Sequence, residues 1–78
     1  MPRYFFNVHD GRAIRDSNGT ELAGLDEARV AAVRFAGSIL NESASHSWKD
    51  HVWHMEVANE SGAVLLRFDF SARMSFPR

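Results

Sequence analysis

The chain has 78 residues, 45% of them hydrophobic, and nine basic against ten acidic side chains leave a net charge of −1. That length holds one domain around one core, and six Phe, two Trp and one Tyr are too many apolar rings for a disordered chain. The lack of cysteine excludes a disulfide framework, a thiolate nucleophile and Cys-ligated zinc, and the balanced charge argues against a nucleic-acid binder.

The chain opens Met1-Pro2-Arg3 and runs straight into aromatic residues, without the apolar core of a leader peptide. Residues 3–9 predict a strand, because Tyr4, Phe6 and Val8 alternate with Arg3, Phe5, Asn7 and His9. Asp10-Gly11 is the strongest hairpin signal in the chain, since a type I′ turn needs positive φ at both central residues. A second strand over 12–16 is therefore expected to return antiparallel to the first. Asp16-Ser17-Asn18-Gly19 closes it with turn formers.

From Leu25 the period changes from two to about 3.6 residues. Leu25, Ala28, Ala32, Phe35 and Ile39 form the stripe expected to face a core, on a helix over 25–42. Asp26 and Glu27 suit the partial positive charge of its first turn. Arg29 and Arg34 interrupt its apolar run, so no segment is expected to span a bilayer. Cytoplasmic placement follows as the simplest expectation.

A third strand is predicted over 51–59, with Trp53, Met55 and Val57 on one face. A fourth, over 63–70, has Val64, Leu66, Phe68 and Phe70 inward. Its alternation continues in phase through Ala72, Met74 and Phe76, which extends the strand to 76 if it is not frayed. The expected architecture is α+β: a two-layer ββαββ unit in one domain, with one helix on one face of a four-stranded antiparallel sheet.

The opening Pro2-Arg3-Tyr4-Phe5-Phe6-Asn7-Val8-His9-Asp10-Gly11 resembles a family of short bacterial proteins known only as a domain of unknown function. The resemblance continues through Asp16, Gly19-Thr20-Glu21-Leu22 and Glu27-Ala28-Arg29, and spans essentially the whole chain. The family carries Asp where this chain has Asn7, which removes one carboxylate and argues against an essential acid there. The resemblance implies a small standalone bacterial protein and brings no activity with it.

Three groupings invite a chemical reading. His46, His51 and His54 lie close in sequence beside Asp50 and are the candidates for a metal site. Zinc needs three or four ligands converging on one point, however, and along a strand His51 and His54 point to opposite faces. Surface histidines are the preferred account, and no metal or cofactor is expected. Asp16 to Glu27 has the length of a calcium loop but carries Glu21 where the sixth-position glycine belongs. No serine sits in a Gly-x-Ser-x-Gly elbow, so the chain is not expected to be an enzyme. Phe5 with Arg3 and Arg67 is a sparse set for stacking RNA bases.

The remaining signal is apolar. Phe5, Val52 and Leu65 are expected on a solvated sheet face, and Ala72, Met74 and Phe76 on a strand overhanging its partner. Both features mark a protein contact. A binding or homo-oligomerisation module is therefore expected, as a homodimer. The alternative is a regulatory or antitoxin-like subunit that covers a heterologous protein, with RNA binding and catalysis ranked behind.

Overall fold

Strict alternation of apolar and polar residues sets the first element. β1 spans Arg3–His9, with Tyr4, Phe6 and Val8 buried and the residues between them half-buried. The computed structural model describes residues 1–10, 13–42, 52–71 and 75. Beyond β1 come β2 (Ala13–Ile14), β3 (Thr20–Glu21), α1 (Leu25–Glu42), β4 (Val52–Ala58) and β5 (Val64–Ser71). The fold is α+β, one helix on an antiparallel sheet of five strands in the order β2-β1-β4-β5, with β3 also on β1.

The strand count departs from the four expected. Where a continuous second strand over 12–16 was predicted, among the described residues only Ala13–Ile14 pair, opposite His9 and Val8. The chain then leaves the ladder and returns at Thr20–Glu21, opposite Tyr4 and Arg3, with the register displaced by two residues. One sheet position is thus shared by two short strands with a loop between them. Asp16, at the start of the turn formers, holds that loop through its side chain. Gly11 lies outside the described residues.

The helix meets the sheet through a narrower stripe than the period suggests. Ala28, Ala32 and Ala36, four residues apart, are at most 2% exposed, with Ile39 and Leu40 packed at the edge. Leu25 and Phe35, expected inside, are each 44% exposed. Phe35 reaches the core only at its rim, edge-on to Phe6 at 6.5 Å. Methyl side chains let the helix axis approach the pleat, and the larger neighbours are left at the flanks. Enlarging Ala32 to Leu should therefore cost about 1–3 kcal/mol by overpacking. Urea denaturation would check it against Val33→Ala, a half-exposed position on the same helix.

On the sheet side the core is Tyr4, Phe6, Val8, Trp53, Met55 and Val57, with Leu66, Phe68 and Phe70 packed against it. Trp53 stacks on Phe70 at 4.5 Å between centroids. The turn into β5 is built by Asn59, whose Oδ1 accepts the N–H groups of Ser61 and Ala63. Gly62 there takes φ +87, the left-handed region that glycine enters at no steric cost. A register irregularity between Val57 and Ala58 then pairs Ala58 with Val64. Val64, predicted inward, is consequently 51% exposed and lies on the side of the sheet away from the helix.

Candidate functional site

The helix covers one face of the sheet and leaves the other open, so cross-strand register decides which side chains meet there. β1 and β4 pair antiparallel: Phe5 opposes Ala58, Asn7 opposes Glu56, and His9 opposes His54. β5 extends these rows, with Val64 opposite Ala58, Arg67 opposite Glu56 and Asp69 opposite His54. The middle of the open face is therefore ionic.

His9 and His54 stack at 4.4 Å with their rings 11° from parallel. Glu56 reaches both imidazoles, with Oε1 3.5 Å from His9 Nε2 and Oε2 3.9 Å from His54 Nε2. Arg67 Nη1 stands 3.9 Å from Glu56 Oε2, while its Nε donates to Asp69 Oδ1 at 3.1 Å. The histidines and Glu56 are half-buried, the side chains of His54 and Glu56 each 24% exposed and that of His9 35%, while Arg67 and Asp69 are exposed.

Beside the histidines lies an open concavity of about 330 Å³, bordered by Phe5, Asn7, Arg15, Asp16, Asn59 and Val64 among others. Asp16 fixes its wall. The Asp16 carboxylate accepts the N–H of Phe6 at 3.2 Å, of Asn18 at 3.1 Å and of Gly19 at 3.0 Å. The Asp16 N–H in turn donates to Asn7 Oδ1 at 2.9 Å. Burial pushes the Asp16 carboxyl up, but the three backbone N–H donors, Gly19 foremost, and the nearby Arg3 charge outweigh it and hold it below its ordinary value. Gly19, at φ +71, permits this close turn: a Cβ there would stand 2.8 Å from Arg3 Cγ and 2.9 Å from Phe5 Cε1.

Of the apolar residues singled out from the sequence, Phe5 and Val52 stand apart on the open face. Phe5 lies across from Ala58 at one end of β4 and Val52 stands at the other end, with the His54 and Glu56 rows between them. Leu65 sits at the register irregularity and is 40% exposed. Ala72, Met74 and Phe76 lie outside the described residues, as do His46 and His51. His54 is the described member of the histidine set, and its neighbours are His9 and Glu56. No local pattern marks that grouping, because it depends on β1 lying next to β4.

A family profile covers residues 3–71. The chain belongs to the DUF6894 family. That family is described as a domain of unknown function, so membership brings no residue roles with it. No curated protein and no solved structure matches the chain significantly. Among the described residues of this DUF6894 domain, no helix is long and apolar enough to cross a membrane.

Proposed function

We propose that this domain is a non-enzymatic protein-binding module that self-associates, two copies joining through their β5 edges about a two-fold axis at Phe68. The observation that carries this is the pattern of β5 itself. β5 ends the strand order, so one side of its backbone has no sheet neighbour among the described strands. Its sequence, Val64 to Ser71, contains neither the Lys nor the Pro that commonly blunts such an edge.

Antiparallel pairing centred on Phe68 is self-complementary. It sets Arg67 of each copy against Asp69 of the other, twice over, on the open face. On the helix side Phe68 meets its own copy and Leu66 meets Phe70. Leu66, Phe68 and Phe70 are only partly covered within one chain, and pairing would cover more of each. Opposite charges and aromatic pairs across strands each favour such a ladder by about 0.2–1 kcal/mol.

Charge reversal tests the register. Asp69→Arg places Arg against Arg at both contacts, and Arg67→Glu places acid against acid. Light scattering over a concentration series should show each variant dimerising at least about tenfold more weakly than the natural chain. An equimolar mixture of the two restores both opposite-charge contacts and should dimerise again. A natural chain that stays monomeric throughout would overturn self-association and leave the edge to a heterologous strand. A mixture no better than its components would overturn the Phe68-centred register.

A further inference from the structure

The grouping of His9, His54 and Glu56 has a geometry that charge pairing alone does not call for. Each side chain offers one donor atom, and the three donor atoms lie within 4.8 Å of one another. A tetrahedral ion with bonds of about 2.0–2.2 Å holds its ligand atoms about 3.3–3.6 Å apart. The 3.5 Å between His9 Nε2 and Glu56 Oε1 already matches that spacing. The 3.9 Å from His54 Nε2 is to the other oxygen, Oε2, and the two rings stack 11° from parallel, so the imidazoles must turn toward each other for both Nε2 lone pairs to meet one ion.

We propose that His9, His54 and Glu56 bind a divalent first-row transition ion, with zinc as its natural probe. Two imidazoles and one carboxylate form a borderline donor set that suits zinc and its neighbours and is poorly matched to calcium or magnesium. The ligands are placed by backbone rather than by loops: His54 and Glu56 stand two apart on β4, and His9 is the direct β1 partner of His54. Half-burial weakens competition from water without closing the site. Asp69 lies opposite His54 on β5, with its carboxylate turned to Arg67.

Among the described residues, Arg67 is the arginine that faces Glu56 at close range, at 3.9 Å. Its shorter contacts are to Asp69, at 3.1 and 3.4 Å. It can therefore keep its carboxylate partner when an ion takes Glu56. Three protein ligands leave a fourth position, and the neighbouring concavity supplies room there for water or a small anion.

Calorimetric titration of the untagged full chain with Zn²⁺, repeated with Co²⁺ followed by its visible absorption, tests the site. One ion per chain is expected, with His9→Ala and Glu56→Gln each weakening it at least about tenfold while the far-ultraviolet dichroism stays native. The paired variant His46→Ala/His51→Ala should leave this binding unchanged. Nitrogen NMR of the natural chain gives a readout without any substitution: zinc should shift the Nε2 signals of His9 and His54 together. Absence of saturable binding would overturn the proposal. So would loss of binding in His46→Ala/His51→Ala with retention in His9→Ala.

Discussion

Trp53→Ala is expected to remove about 3–5 kcal/mol of folding stability. Trp53 is 4% exposed and stacked on Phe70, so truncation removes a large ring from the helix-facing side of β4. Large-to-small changes of this kind cost about 3–5 kcal/mol, partly as lost transfer energy and partly as the cavity that remains. A 78-residue domain has a total stability of about 4–12 kcal/mol. One such loss is therefore a large share of the whole. Urea unfolding followed by circular dichroism would measure it, with Val52→Ala as comparison. Val52 is the preceding residue on β4 yet is 66% exposed, and its truncation should change stability by no more than about 0.5 kcal/mol. Equal midpoints for the two variants would contradict the core described above.

Asp16→Ala should cost about 1.5–3 kcal/mol at neutral pH. Three backbone N–H groups lose their acceptor together, and that of Phe6 is partly buried and belongs to a central strand. The effect should also depend on pH with a definite sign. The folded state holds the Asp16 carboxyl below its ordinary value, so it favours the ionised form. The contribution is then complete above the ordinary carboxylate range and fades as pH falls through the folded value. The gap in stability between the natural chain and Asp16→Ala should be wide at about pH 7 and narrower at about pH 3. Asp16→Asn keeps one acceptor oxygen but not the charge, and should fall between the two. A gap that widens in acid would show that Asp16 is not holding the loop as a carboxylate.

Single residues explain which parts of this arrangement can be read from the sequence. One helix on an antiparallel sheet is legible because the apolar period lengthens at Leu25 and returns to two before Trp53, and the Asn59 to Gly62 turn separates two alternating runs. The angular position of the helix is less legible. Leu25 and Phe35 are apolar and correctly spaced, yet three alanines take the contact, because closeness of approach outweighs side-chain size there. The division of the second strand position has a cue in Asp16 and Gly19, whose residue types favour leaving a ladder. Nothing local, however, says that the chain will rejoin at Thr20. The histidine and glutamate grouping is the least legible of all. Spacing along β4 can set His54 beside Glu56, but only the placement of β1 against β4 brings His9 to them. Strand order is a property of the whole chain, and no window of sequence contains it.

The divided strand position also limits how the molecule can grow. β2 and β3 occupy the outer side of β1 at its two ends, and between them the Asp16 carboxylate takes the Phe6 N–H. Each of those strands is two residues long, too short to template an incoming chain. A sheet that could add neighbours on both sides would polymerise, since every addition would leave a fresh end exposed. Here one side is terminated by the chain's own loop, and joining two copies through the other consumes the only long free edge among the described strands. Association by that route stops at two. In the proposed dimer the small loop around Asp16 would act as a chain terminator, separating a closed pair from an open fibre.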